Sequence, residues 1–263
     1  DPDQEDTLTV VAVGESAIGA TVSLNDGTVG YDIGNGYQQL AEGEVLEDSF
    51  TYTISDGMGE TSSAVVNVHI VGANDAAVVA DDSAAATEDT LTTLSGNVLD
   101  NDSDIDHGTV LQVATAGTVT GVYGSLTIAN DGSYTYTLND GANVQALAEG
   151  QVVTERFEYV ATDGIVGVAS SLQITVTGTN DAPVVSADTA TVTEDSAVAA
   201  SGNVLANDDD ADRATVLKVV APGTYVGAHG TLIMGQDGSY TYSLDNSAAN
   251  VQSLAQGQTV VDS

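Results

Sequence analysis

Acidic side chains recur at three kinds of position in this sequence. The first is an Asn-Asp pair, the second is an acidic loop, and the third is a single acid beside a predicted strand. The pairs are Asn74-Asp75 and Asn180-Asp181; the loops hold Asp102, Asp104 and Asp106, then Asp208, Asp209, Asp210 and Asp212; the single acids are Asp56, Glu88, Asp163 and Glu194. Asp1, Asp3 and Asp6 are predicted to end a similar loop in an earlier copy.

Crowded carboxylates repel one another unless a cation lies among them. Lysine and arginine cannot supply that charge, because the chain has 39 Asp and Glu but only 3 Lys and Arg. Ca²⁺ binds six to eight carboxylate, amide, main-chain and water oxygens, whereas Mg²⁺ tolerates such flexible protein cages poorly. With no cysteine and 3 histidines, zinc and copper sites are disfavoured. We therefore predict Ca²⁺ as the cofactor; surface solvation and turn capping are the alternative roles for these acids.

The acidic loop is not an EF-hand. Asp102, Asp104 and Asp106 fit its first three ligand positions, but His107 occupies the place of the turn glycine, and Val113 stands where the terminal glutamate belongs. Catalysis is also a poor interpretation, since Arg213 replaces His107 in the next copy and no Ser-His-Asp or paired-carboxylate constellation can be assembled. We predict that the chain is not an enzyme.

The acids belong to a long internal repeat. Asn180 lies 106 residues (180 − 74) after Asn74, and the stretch NDGSYTYTL at 130–138 returns as QDGSYTYSL at 236–244. This period exceeds the 20–50 residues of solenoids and propellers and has the size of an independent domain. The sequence predicts three tandem units: a partial repeat over 1–75, a complete repeat over 76–182 and a partial repeat over 183–263. We expect the chain to be a segment of a longer protein.

The complete repeat predicts short strands separated by turns. These strands cover 78–87, 110–113, 124–129, 133–138, 152–161 and 169–177. Asn130-Asp131-Gly132 between alternating apolar and polar residues predicts a β-hairpin, and Tyr134 and Tyr136 fall on one strand face, where core packing is expected. Residues 143–150 predict one helical turn, capped by Asn143 and ended by Gly150. About seven strands in some hundred residues, with minimal helix, predict an all-β chain of tandem antiparallel β-sandwiches.

Composition limits the partners. The formal net charge of −36 leaves no basic surface for nucleic acid and disfavours an anionic membrane, and no apolar run is long enough for membrane insertion. A hydrophobic content of 42% argues against an acidic disordered tail. Halophilic solvation would scatter the acids, whereas here they recur at fixed positions. Without cysteines, bound metal is the obvious substitute for disulfides in small domains.

Several motifs, in a fixed order, resemble the VCBS repeat of very large bacterial surface and secreted proteins, including RTX-type adhesins. The motifs are TEDT, GNVLxND, the alternating aspartates, DGSYTY, VQALAEG, FEYVATDG and TGTNDAP. The segment from Tyr159 onward also resembles the last strand and linker of a cadherin domain, a β-sandwich whose joints bind Ca²⁺. The resemblance implies an Ig-like or cadherin-like fold.

The resemblance also implies a distribution of ligands over the joints. The first joint would use Asn74, Asp75, Asp104, Asp106 and Asp163; the second would use Glu88, Asn180, Asp181, Asp210 and Asp212; Asp56 and Glu194 would serve joints outside the chain. Cadherin linkers carry a second asparagine where Ala76 and Ala182 stand here. Fewer side-chain oxygens imply fewer ions, one or two at each joint.

These resemblances imply a calcium-stiffened spacer in a large bacterial adhesin that serves cell adhesion or biofilm formation. Its partners would be the neighbouring repeats, with a cell-surface glycan or protein bound through other domains. The location would be extracellular or on the cell surface, after type I secretion. The alternative is a carbohydrate-binding or accessory module of a secreted enzyme or toxin, which the absence of tryptophan disfavours. A third interpretation is homophilic adhesion through unpaired strands.

Overall fold

The computed structural model describes residues 7–196 and 199–263, and its regular secondary structure is almost wholly β-strand. The strands fall into three consecutive groups, called here units one, two and three. Unit one contains β1 (Thr9–Val13), β2 (Thr21–Asn25), β3 (Thr28–Asp32), β4 (Val45–Ser55) and β5 (Thr61–Val71). Strands β1, β4 and β5 form one sheet in the order β1-β4-β5, and β2 pairs with β3 as a hairpin.

Unit two is a β-sandwich of two four-stranded sheets. Its strands are β6 (Asp82–Thr87), β7 (Thr93–Asn97), β8 (Gln112–Val113), β9 (Gly117–Thr120), β10 (Gly124–Ile128), β11 (Ser133–Leu138), β12 (Val152–Thr162) and β13 (Gly167–Thr177). The sheet orders are β7-β11-β10-β9 and β6-β13-β12-β8. Side chains from both sheets form one core, so the predicted sandwich is confirmed. One pairing differs from the antiparallel prediction, because β6 runs parallel to β13.

Unit three repeats the first of these sheets. It contains β14 (Ala200–Asn203), β15 (Gly223–Val226), β16 (Gly230–Met234), β17 (Ser239–Leu244) and the short helix α1 (Ala249–Gln252). The sheet order β14-β17-β16-β15 matches that of β7-β11-β10-β9 in unit two. Among the described residues, no helix is long and apolar enough to cross a membrane.

The alternation of DGSYTY places its tyrosines toward the core, as predicted. Tyr136 is fully buried, and Tyr134 is half-buried against the core. The ring of Tyr136 meets that of Phe157 edge-on, with the centroids 6.0 Å apart. These contacts join strands of opposite sheets, since Tyr136 lies in β11 and Phe157 in β12.

The predicted hairpin at Asn130-Asp131-Gly132 is confirmed, although its turn is longer than a two-residue connection. The N–H of Ala129 donates to the carbonyl of Ser133 at 2.8 Å, and that of Gly132 donates to the carbonyl of Ala129 at 3.0 Å. Only Gly132 has a positive φ, of 82°. A type I turn followed by a left-handed residue has this pattern.

The predicted helical turn over 143–150 is wrong for unit two. The carbonyl of Gly141 accepts N–H bonds from Val144 at 2.9 Å and Gln145 at 3.1 Å, which makes overlapping turns without a helix. Asn143 does not cap a helix, because its Nδ2 donates to the carbonyl of Val122 at 2.5 Å. Val144 and Leu147 are nevertheless buried, as the spacing predicted. The predicted strand over 78–87 is also shorter and begins at Asp82.

Candidate metal sites at the joints

The first joint, between units one and two, brings together three separate parts of the chain. Nδ2 of Asn74 donates to Oδ2 of Asp163, at the tip of the β12–β13 hairpin, over 2.9 Å. The N–H of Asp75 donates to Oδ2 of Asp106 at 3.0 Å, and the N–H of Asp106 donates to Oδ1 of Asp104 at 2.8 Å. We call these five residues joint one.

The second joint repeats this geometry. The N–H of Asp181 donates to Oδ2 of Asp212 at 3.0 Å, and the N–H of Asp212 donates to Oδ1 of Asp210 at 2.9 Å. Glu88 reaches this end of unit two, because its Oε2 accepts the N–H of Thr179 at 3.0 Å. Joint two is defined by Glu88, Asn180, Asp181, Asp210 and Asp212. Within residues 7–196 and 199–263, no hairpin acid contacts Asn180, and its Nδ2 donates to the carbonyl of Asp181 at 2.6 Å.

Both joints hold buried carboxylate oxygens that have no hydrogen-bond partner. They are Oδ2 of Asp104 and Oδ1 of Asp106 at joint one, and Oε1 of Glu88, Oδ2 of Asp181 and Oδ1 of Asp212 at joint two. Glu88 is fully buried, and Asp106 and Asp212 are each only 6% exposed. An unpaired oxygen of this kind loses its water without compensation. Its recurrence at two equivalent places fits a missing positive charge.

The electrostatics of joint two agree with that conclusion. Burial raises the pKa of Glu88, and the charges of Asp181, Asp89 and Asp212 raise it further. Burial likewise raises the pKa of Asp181, with additional repulsion from Asp89, Asp212 and Asp210. A bound cation would reverse both effects, because an opposite charge favours the ionised form.

The donor set fits a hard cation. No three His, Cys, Asp or Glu side chains among residues 7–196 and 199–263 are grouped closely enough to hold a metal by themselves. Asparagine and main-chain oxygens would therefore complete the shell, which is the mixed oxygen set that Ca²⁺ accepts. When bound, the ion would supply charge neutralisation.

Main-chain contacts fix the units beside each joint. The N–H of His107 donates to the carbonyl of Gln39 at 2.9 Å, and at the equivalent place the N–H of Arg213 donates to the carbonyl of Ala146 at 3.2 Å. Each bond joins the residue after the acidic loop to the turn that precedes the long hairpin of the previous unit. The position of the link is therefore the same at both joints.

Sequence reasoning missed two acids at the joints. Oε2 of Glu44 lies 3.5 Å from Nδ1 of His107, across joint one. Oε2 of Glu149 accepts the N–H of Asn180 at 3.2 Å. Glu149 lies in the VQALAEG motif, and Glu44 follows the equivalent YQQLAEG of unit one. That position was the available indication, because the strand after the turn begins opposite the end of the strand that leads to the linker.

Other predicted ligands lie away from these hydrogen-bonded clusters. Oδ1 of Asp102 accepts the N–H of Ala80 at 2.9 Å, and Oδ1 of Asp208 accepts that of Ser186 at 2.8 Å, so both fasten the segment that follows a linker. Asp56 caps its own loop and accepts the N–H of Met58 at 2.7 Å. Glu194 is half-buried at a turn of unit three. The predicted loop end at Asp1, Asp3 and Asp6 lies outside the described residues.

A second set of acids was not predicted at all. Asp48, Glu155 and Asp262 each lie five residues after a glycine of the repeat, namely Gly43, Gly150 and Gly257. Each carboxylate accepts a tyrosine hydroxyl: Tyr31 on Asp48 at 2.7 Å, Tyr136 on Glu155 at 2.5 Å and Tyr242 on Asp262 at 2.7 Å. We call this arrangement the carboxylate–tyrosine latch.

The latch also holds a neighbouring loop. Asp48 accepts the hydroxyl of Ser16 at 2.6 Å and the N–H of Ala17 at 2.9 Å, and Glu155 accepts the N–H of Val122 at 2.8 Å. Burial alone would raise the pKa of Asp48, but the hydrogen bonds from Ser16 and Tyr31 outweigh it and lower the pKa to about 2. These acids are satisfied by the protein itself, unlike those at the joints.

Comparison with known proteins identifies the family of these units and structures with the same fold. The bacterial cadherin-like domain family matches residues 74–179 and 180–263, and a bacterial Ig domain family matches residues 1–69. The chain belongs to the bacterial cadherin-like domain family. Mouse cadherin-23 EC22-24 has the same fold, with a TM-score of 0.54, 17% identity and coverage of 93% of this chain and 78% of that one. Protocadherin gammaB7 EC3-6 gives a TM-score of 0.51 at 15% identity, over 92% of this chain and 58% of that one.

One curated relative has a higher sequence identity to this chain than these two structures have. The protein named calcium-binding lectin RapA2, from Rhizobium johnstonii (strain DSM 114642 / LMG 32736 / 3841), is 31% identical over 157 residues. The match covers 54% of this chain and 64% of the relative, so the chain spans less than two thirds of that protein. The family match shows that the chain contains bacterial cadherin-like domains in tandem.

Proposed function

We propose that this chain is a non-catalytic, calcium-stiffened spacer of a large bacterial adhesin. The proposal includes the VCBS type of repeat, the unit boundaries 1–75, 76–182 and 183–263, and a location at or outside the cell surface after type I secretion. It is supported by the bacterial cadherin-like family match, the relative named a calcium-binding lectin and the acids at both joints.

One observation carries the proposal. Buried carboxylate oxygens without a partner occur at both joints, within hydrogen-bonded Asp clusters that are equivalent in sequence. Ca²⁺ at these places would neutralise Glu88, Asp181 and Asp212 at joint two, and Asp104 and Asp106 at joint one. A ligand that binds only the folded state at 100 times its Kd adds about 2.7 kcal/mol of stability. For a domain stabilised by about 5–15 kcal/mol, that contribution is large.

Thermal unfolding in excess EDTA, in Ca²⁺ and in Mg²⁺ tests the proposal. We expect a rise in Tm that is large in Ca²⁺ and small in Mg²⁺. Asp181→Asn and Asp212→Asn should remove much of the calcium-dependent rise. In EDTA the same variants should melt no lower than the original chain, because each removes a buried unpaired charge.

Glu158→Gln is the matched control, since Glu158 is an exposed acid on β12. Its calcium-dependent rise in Tm should equal that of the original chain. If Ca²⁺ leaves the Tm unchanged, or if the control loses as much as Asp181→Asn, the acids only solvate the surface and the spacer proposal fails.

Carbohydrate binding is the second candidate function. The observation that favours it is the relative named a lectin, which is 31% identical over 157 residues. The two functions are compatible in one array of repeats. Binding of Ca²⁺-saturated protein to immobilised neutral and acidic polysaccharides tests this candidate, and failure to bind any of them would remove it.

A further inference from the structure

Unit two has a small cleft on the side opposite the long β12–β13 hairpin tip, between its TEDT turn and its VQALAEG turn. Its volume is about 260 Å³. Leu138 and Val144, both buried, form an apolar floor, and the polar side chains of Asp89, Asn139, Asp140 and Gln145 surround it. We call this site the turn cleft.

The backbone holds these side chains in place. Asp89 adopts a left-handed conformation with φ of 58°, in a turn where the N–H of Leu91 donates to the carbonyl of Thr87 at 2.9 Å. Nε2 of Gln145 lies 3.4 Å from Oδ1 of Asp89 and bridges the two turns. Asn139 and Asp140 follow the end of β11, whose last residue is Leu138. The rim is therefore built from ordered turns.

The same arrangement recurs in unit three. Asp195 is left-handed with φ of 60°, and Nε2 of Gln252 lies 3.4 Å from its Oδ1. Val251 is fully buried, as Val144 is. Asp245 and Asn246 follow Leu244, so the carboxylate and the amide are present in the reverse order. Both units thus keep two carboxylates, two amides and an aliphatic floor.

We propose that the turn cleft binds one ring of a neutral hexose within a glycan. An aliphatic floor suits the C–H face of a pyranose, and carboxylate and amide groups suit its hydroxyls, which both donate and accept hydrogen bonds. The volume of the turn cleft lies just below the range of about 300–1,000 Å³ that is typical of pockets for drug-sized ligands. The occupant is therefore limited to a single ring.

Charge selects a neutral sugar over an acidic one. The rim carries Asp89 and Asp140, and the chain has only 3 Lys and Arg against 39 Asp and Glu. A uronic acid or sulfated sugar would bring a further negative charge into this field. A single ring binds weakly, but a second site formed by the equivalent residues of unit three would raise the overall avidity if a glycan reached both.

This inference rests on the second candidate function, carbohydrate binding, and not on the spacer function. Asp89 lines the cleft, whereas its neighbour Glu88 belongs to joint two and is fully buried. The test is therefore made on the Ca²⁺-saturated full chain, so that the metal content of the joints stays constant during the sugar titration. Unfolding with EDTA and Ca²⁺ reports on the spacer function, and sugar titration reports on the cleft, so the two can fail separately.

The experiment is an amide ¹H–¹⁵N titration with methyl glycosides of glucose, galactose and mannose, up to about 100 mM because single rings bind in the millimolar range. At least one glycoside should shift the amides of residues 89, 139, 140 and 145 and of their equivalents in unit three. In Asp140→Ala the unit-two shifts should fall at least about fivefold at fixed sugar concentration, since a hydroxyl partner is lost. The unit-three shifts should persist, which provides a control for folding within the same molecule.

Asp195→Asn should give the reverse pattern, with loss confined to unit three, because asparagine also adopts the left-handed conformation and only the carboxylate is lost. Absence of any saturable shift with all three glycosides would overturn the inference. So would shifts that Asp140→Ala leaves unchanged, or shifts confined to the joints.

Discussion

At the residue scale, Asp48, Glu155 and Asp262 differ from the joint acids in their surroundings rather than in their chemistry. Each accepts a tyrosine hydroxyl and closes a loop onto the sheet, as the contacts of Asp48 with Ser16 and Tyr31 illustrate. Such hydrogen bonds favour the ionised carboxylate. The described part of the chain therefore contains carboxylates that the protein itself satisfies and others whose buried oxygens have no hydrogen-bond partner.

Acid should release the latch. The folded-state pKa of Asp48 is lowered from 3.8 to about 2, so its contribution to stability is present above pH 3.8 and is lost as the pH falls toward 2. We expect Asp48→Asn to lower the Tm at pH 7, and the difference from the original chain to narrow over that window. Circular dichroism melts at a series of pH values measure this.

Asp26→Asn provides the comparison for Asp48→Asn. Asp26 is an exposed turn residue with φ of 47°, a conformation that asparagine also adopts. The difference in Tm between Asp26→Asn and the original chain should stay small at all pH values. An equal and pH-dependent loss in both variants would argue against a specific role for the latch.

Residue types at the joints were predictable from sequence, whereas the latch was not. The recurrence of Asn-Asp and of alternating aspartates indicated a repeated site, because solvation alone does not require fixed positions. Asp48 and Glu155 lie on strands among polar neighbours, and there an acid resembles any exposed strand residue. Their tyrosine partners are 17 and 19 residues distant in sequence, so only the folded chain brings them together.

At the scale of elements, the linker glycines set how closely each linker lies against the preceding turn. A Cβ added to Gly72 would lie 2.3 Å from the carbonyl oxygen of Ala41, and one added to Gly178 would lie 2.4 Å from that of Leu147. Neither glycine has a positive φ. Close approach of two backbones, rather than backbone conformation, therefore requires glycine here.

Gly178→Ala should loosen joint two. The added methyl group must displace main chain, and overpacking of this kind costs about 1–3 kcal/mol. The control is Gly150→Ala, where φ is 72° but the Cβ meets nothing within 4 Å; a cost of about 1 kcal/mol is expected there. Urea unfolding in Ca²⁺ measures both. Equal decreases in the free energy of unfolding would mean that the main chain next to Gly178 moves aside at little cost.

Strand positions followed from alternation, but strand partners did not. The pattern of DGSYTY predicts which residues face the core, and the structure agrees. The same pattern carries no information on the neighbour of β6, which pairs in parallel with β13 from Leu172↔Asp82 to Thr177↔Thr87. The helical turn over 143–150 failed for a similar reason, because the side chain of Asn143 bonds to Val122, a distant loop residue that local sequence cannot identify.

At the scale of the whole molecule, equivalent links at the two joints favour one repeated arrangement of neighbouring units. The main-chain bonds of His107 and Arg213 are made at matching positions, and both joints repeat the Asp75–Asp106 type of contact. Repetition of one geometry gives each pair of neighbouring units the same relative orientation. In the absence of a cation, repulsion among the unpaired carboxylates acts against it.

Small-angle X-ray scattering should detect this difference. With Ca²⁺ we expect one well-defined maximum dimension and a rod-like profile, and in EDTA a broader distribution of distances. In Ca²⁺, Asp181→Asn should broaden the distribution of distances, but less than EDTA does, because joint one keeps its acids. A control in high NaCl separates screening from binding, since exposed charges are largely screened beyond about 3 Å at 1 M salt. If NaCl reproduces the Ca²⁺ profile, specific sites are unnecessary.

The parallel pairing of β6 with β13 also determines how unit two responds to tension. β6 begins just after one linker and β13 ends just before the next, so pulling on both linkers draws the two strands along their length in opposite directions. Their hydrogen bonds are then loaded together in shear, whereas a hairpin pulled from its open end would separate one bond at a time. Optical-tweezer pulling through the linkers should meet higher force than pulling across the β10–β11 hairpin. If the chain serves the proposed spacer function, this pair of strands would carry the load that fluid drag places on an attached cell.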